Sequence, residues 1–149
     1  MKPRTQFLIT VGLILVILGI AWLSYSTRNR EPTQVIPATI NRDCTPWDGP
    51  AFTVSIPLND GITIHISIWQ SPDIKRPARF SFPDETGQIG FAYILPEPDS
   101  IQPLSGDLSF IRVKEGIPVE GEFNFTTESG EEFKGKFNAV WGNQVVYCG

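Results

Sequence analysis

His65 is the single histidine of the chain, and the sequence TIHISIW places Ser67 two residues beyond it. A serine nucleophile needs an imidazole base, an acid that orients the ring and donors for the oxyanion. No serine here lies in a Gly-x-Ser-x-Gly turn, the sharp strand-to-helix bend that exposes such a nucleophile. His65 is therefore expected to be a solvated strand histidine. The carboxylate pairs Asp84-Glu85 and Glu131-Glu132 do not suit glycoside hydrolysis, because adjacent strand residues point to opposite faces. LNDG and PDETG offer oxygen atoms without the spaced acidic pattern of a calcium loop. No glycine-rich phosphate cradle is present. No catalytic residue, metal site or cofactor is expected from these patterns, and the chain reads as a non-enzyme.

Two other residue types remain. Cys44 and Cys148 are the only cysteines, and their spacing is no zinc signature. A disulfide between them would tie together the two ends of the folded region, in an oxidising compartment. A closed loop of about a hundred residues gives a chain-entropy stabilisation of about 4 to 5 kcal/mol. The aromatics are the second resource. Trp69 falls on the polar phase of its strand, and Trp47 sits in CTPWDGP beside Cys44. With Tyr93 they could form a stacking platform for sugar rings or a contact for a protein. The alternative is that segment 95–106 (LPEPDSIQPLSG) covers Trp69 as a loop. Trp141 shares its phase with Phe133 and Phe137 and is expected in the core.

The elements that must carry these residues begin with an apolar run. FLITVGLILVILGIAWL starts at Phe7, ends at Leu23 and carries no charge; at about 1.5 Å per residue its seventeen residues reach roughly 25 Å as a helix. Trp22 and Tyr25 lie where rings favour the headgroup layer, and Lys2, Arg4, Arg28 and Arg30 flank the run. The expectation is residues 1–6 in the cytoplasm, a membrane helix or signal sequence over 7–25, and lipid bilayer as the first partner. A cleaved signal, which would make the product secreted, is the alternative. Thr5, Gly12, Gly19 and Ser26 recur every seven residues, and Gly12 and Gly19 mark a face that could pack against another helix.

Charge divides the chain. Residues 1–30 carry four basic and no acidic side chains, whereas residues 31–149 carry eight basic and sixteen acidic ones, a net −8 within the overall −4. A body of that sign repels phosphate backbones, so nucleic acid is not an expected partner. The run Lys75-Arg76-Pro77-Ala78-Arg79 reads as a solvated turn. Residues 26–43 are polar and aperiodic, the pattern of a linker. From Cys44 onward period two dominates: Phe52, Val54 and Ile56 alternate with Thr53 and Ser55, and Ile64, Ile66 and Ile68 with His65, Ser67 and Trp69. Further strands are predicted at 78–82, 88–94, 107–113, 117–126, 132–141 and 144–148. About eight short antiparallel strands in residues 44–149 suggest a small all-β sandwich.

Two registers are predicted. A three-residue loop ending at Gly61 sets Ile56 opposite Ile64, Val54 opposite Ile66 and Ser55 beside His65. A three-residue loop ending at Gly130 sets Gly121 opposite Phe137 and Phe123 opposite Gly135, so that each glycine of the repeated Gly-x-Phe-Asn lies under a ring. The expected function is a membrane-anchored, extracytoplasmic interaction or accessory module, with a protein partner in the membrane. A carbohydrate- or cell-wall-binding module is the second reading, and a small hydrolase the third.

Overall fold

The computed structural model describes residues 34–149 apart from 59, 60, 98, 99 and 144. The segment that starts at Phe7 and ends at Leu23, with Gly12 and Gly19, lies outside the described residues. Among those described, no helix is long and apolar enough to cross a membrane.

Alternating sequences become eight strands: β1 (Val35–Cys44), β2 (Pro50–Pro57), β3 (Thr63–Ile68), β4 (Ala78–Phe82), β5 (Gly90–Glu97), β6 (Ser100–Phe110), β7 (Val119–Thr127) and β8 (Glu132–Trp141). The all-β expectation holds, and both registers do. Phe52 faces Ile68, Val54 faces Ile66, Ser55 faces His65 and Ile56 faces Ile64. Gly121 faces Phe137, Phe123 faces Gly135 and Phe125 faces Phe133. Gly61 and Gly130 both have left-handed backbone, φ 79° and 90°, as three-residue loops require. Thr127 N–H donates to Glu131 C=O at 2.9 Å across the second loop.

The strands close into a seven-strand barrel rather than a sandwich of two sheets. Round the ring the order is β6, β5, β3, β2, β1, β8, β7 and back to β6, with β4 added beside β6. Alternation says only that one face is buried, which either architecture satisfies. Closure comes from β7 pairing with both β6 and β8 and from β1 lying parallel to β8, Val35 opposite Lys136 through Ile40 opposite Trp141. The interior is mainly apolar: Ile40, Phe52, Val54, Ile56, Ile64, Ile66, Ile68, Leu108, Phe125 and Phe137 are almost fully buried, and Thr127 is a buried polar residue at the end of β7.

Three expectations are corrected. Residues 35–43, read as linker, form most of β1, since VIPATIN alternates well enough to bury Ala38 and Ile40 once β2 and β8 supply ladders on both sides. Segment 95–106 is not a loop over Trp69: residues 95–97 end β5 and residues 100–106 begin β6. Of the strand expected at 144–148, the described residues 145–148 form none. Gly142 N–H makes the last bond to β1, at Ile40 C=O, 2.9 Å, and Tyr147 is 91% exposed.

The tail is held by sulfur instead. Cys44 and Cys148 form the expected disulfide, with Cα atoms 5.6 Å apart. Because β1 and β8 run parallel, the end of β1 and the tail after Trp141 emerge at the same end of the barrel.

Candidate functional site

Three strands place their outward side chains along one half of the barrel. The register sets Ser55, His65 and Tyr93 side by side across β2, β3 and β5. The next outward row holds Thr53, Ser67 and Phe91. Trp69 follows β3 directly, its N–H donating to Ile89 C=O at 2.8 Å. On an exposed strand face these positions are normally polar. Here β5 instead presents Phe91, Tyr93 and Leu95, and Phe91 is 46% exposed.

The rings form one continuous chain. Trp47 meets Trp69 edge to face at 5.2 Å, Trp69 meets Phe91 at 5.8 Å, Phe91 lies beside Tyr93 at 5.4 Å, and Tyr93 beside His65 at 5.2 Å. Trp47 ends the chain and is 57% exposed. Its loop is shaped by Thr45, whose Oγ1 accepts from Gly49 N–H at 2.7 Å, and by Asp48, whose φ of 61° is left-handed. The three residues expected to form a platform, Trp47, Trp69 and Tyr93, therefore lie in one assembly. Trp47 and Trp69 are not coplanar, however: their planes cross at 81°. The sequence reading missed Phe91, Leu95 and His65 as members. The available signal was the phase of β5, in which Ala92 and Ile94 point inward and leave Phe91 outside.

The outward positions Thr53, Ser55, His65, Ser67, Trp69, Phe91, Tyr93 and Leu95 carry no charged side chain, and Asp43 of β1 borders them by accepting from Thr53 Oγ1 at 2.7 Å. His65 conforms to that neutrality, because burial lowers its pKa and holds the ring uncharged near pH 7. Its Nδ1 shares a hydrogen bond with Ser55 Oγ at 3.1 Å. The opposite half differs: β7 and β8 present Glu120, Glu122, Lys134 and Lys136, and Glu122 pairs with Lys136. Trp141 does not reach the deep core; half-buried, it donates from Nε1 to Lys114 C=O at 3.0 Å.

Among the described residues, no group of three or more His, Cys, Asp or Glu side chains could hold a metal ion. Comparison with models of protein families, with curated proteins and with solved structures returns no match for this chain.

Proposed function

We propose that the chain is a membrane-anchored, extracytoplasmic interaction module that binds a partner protein through the uncharged aromatic half of its barrel. The observation that carries the reading is the ring chain from Trp47 to His65, along outward rows of β2, β3 and β5 that carry no charged side chain and are bordered by Asp43 at Thr53. Protein-contact centres are rich in aromatics and poor in charged residues, and an exposed apolar patch of this kind marks a contact surface. The anchor is supported by the uncharged run that begins at Phe7, and export by the disulfide, since such bonds persist in oxidising compartments. The role is taken as non-catalytic. Among the described residues the side chain hydrogen-bonded to His65 is Ser55, and no carboxylate is in place to orient the ring.

The test is site-specific photo-crosslinking in intact membranes. A photoreactive residue at position 91 should give one discrete adduct, and the same residue at position 134, on the charged half, should give none. Equal labelling at both positions, or none at 91 with a monodisperse monomer in mild detergent, overturns the reading.

A glycan-binding role has one specific observation in its favour, the exposed Trp47. The stacked faces of His65, Tyr93 and Phe91 are turned toward one another, which leaves Trp47 as the ring best placed to stack on a sugar. Retention on insoluble cell-wall glycan that disappears with Trp47→Ala would favour this second role.

A further inference from the structure

The strand β4 pairs with β6 along one edge, from Ala78 opposite Phe110 to Phe82 opposite Gly106, and among the described residues has no strand on its other edge. In an antiparallel ladder every second residue turns both its N–H and its C=O away from the partner. The free edge of β4 thus presents a row of donors and acceptors. A groove of about 510 Å³ runs beside it, lined by Gln70, Ser71, Asp73, Ile74 and β4 itself. Phe80 and Phe82 turn inward, whereas Arg79 and Ser81 turn outward and are held by Asp107 at 2.7 and 2.6 Å.

Charge gives the edge a sign. Lys75, Arg76 and Arg79 are three of the eight cations in residues 31–149, gathered within five positions of a body that is otherwise strongly acidic. Lys75 is near Asp73 and Arg79 pairs with Asp107, so the cluster keeps one net positive charge. Among the described residues Arg76 makes no ion pair.

We infer that the free edge of β4 is a docking site for an extended acidic segment of a partner protein, added as a further strand beside Ala78–Phe82. Main-chain hydrogen bonds supply the affinity in such strand addition, and alternate side chains supply the selectivity. Residues of the added strand in phase with Phe80 and Phe82 lie on the apolar side, while those in phase with Arg79 lie beside the cations. The fitting segment therefore alternates apolar and acidic residues. Pro77 and Pro83 bound β4 and limit the added strand to about five residues, as prolines do at exposed edges. A second copy of this chain fits poorly, because pairing two β4 edges antiparallel about Phe80 brings the two Arg79 side chains to diagonal positions on one face. The groove adjoins the aromatic half at Gln70, next to Trp69, but Trp47 does not line it.

The experiment uses the full chain in detergent micelles and a fluorescent peptide of five Glu-Val repeats. The acidic peptide is expected to bind at least tenfold more tightly than its Lys-Val counterpart in anisotropy titrations. Arg76→Glu should weaken it about tenfold and Trp47→Ala should leave it unchanged. Only alternate peptide N–H groups face β4, so methylating either the glutamate or the valine nitrogens should abolish binding in one of the two versions. Amide exchange should slow at Ala78–Phe82 when the peptide is added. No binding of the Glu-Val peptide overturns the proposal, as does binding indifferent to both N-methylated versions. Protection of those amides by concentration-dependent dimerisation without peptide also overturns it, in favour of a second copy as the occupant.

Discussion

Gly121 and Gly135 are equivalent in the sequence, each opening a Gly-x-Phe-Asn, but not in the barrel. A methyl group at Gly121 would stand 2.6 Å from the Ser109 carbonyl oxygen and 2.5 Å from Phe137 Cζ. At Gly135 it would meet the ends of Phe123 and Ile36 at 3.1 Å or more, and side-chain ends can yield where backbone cannot. Gly121→Ala should therefore cost about 2 to 3 kcal/mol, in the range of core overpacking, and Gly135→Ala less than about 1 kcal/mol. Urea denaturation of the two variants checks the order. His65 gives a second residue-scale expectation. Its folded pKa lies below the ordinary value through burial, so below about pH 6.5 the unfolded chain binds a proton that the folded chain resists. Stability should be undiminished above that pH and fall as the solution is acidified toward the folded pKa. His65→Gln should flatten this part of a stability profile measured from pH 7.5 to 5.

At the scale of elements, β7 and β8 are held by their ring-over-glycine pairs and by the barrel wall rather than by charge. Glu122 and Lys136 are both about half exposed, so Glu122→Ala should change stability by less than about 0.5 kcal/mol. The strand β4 is different, because among the described residues it has a ladder on one side alone. Asp107 fastens it from β6 by accepting from Arg79 and Ser81, and these bonds hold the Asp107 carboxyl below its usual pKa. That contribution is present above the ordinary carboxylate range and is lost as pH falls through the lowered value. Asp107→Ala should speed amide exchange at Ala78–Phe82 while leaving β2 and β3 protected. Equal acceleration in all of these strands would show that Asp107 acts globally instead. Most strands were legible because Ile, Val and Phe alternate with Ser, Thr and Glu at period two. The strand β1 was not, because its pattern is broken by Pro37 and by polar residues toward its end, and its ladders come from segments distant in sequence.

For the whole molecule, the Cys44–Cys148 bond spans a sequence separation of 104 and fastens the tail to the end of β1. Reduction should lower stability by about 4 to 5 kcal/mol if the effect lies in the unfolded chain's entropy. The Cys44→Ser, Cys148→Ser double variant should match the reduced protein in a denaturation midpoint. Reduction should leave the Glu122–Lys136 region folded under native conditions, since β8 is paired to both β1 and β7. The two halves of the barrel wall differ in chemistry, charged over β7 and β8 and aromatic over β3 and β5, and this division places the proposed contact face.

What the amino-acid order determined was local: period-two strands, two hairpin registers forced by pairing apolar with apolar, and glycines where loops turn left-handed. It also marked Cys44 with Cys148 as a bond and Trp47, Trp69 and Tyr93 as a group. Tertiary structure alone decided that the sheet closes, that β1 joins it, and that Phe91 and His65 complete the ring chain. The physical reason is range. Alternation and turn chemistry act between neighbours, whereas barrel closure rests on β1 meeting β8 across about a hundred residues, a pairing that no local pattern encodes.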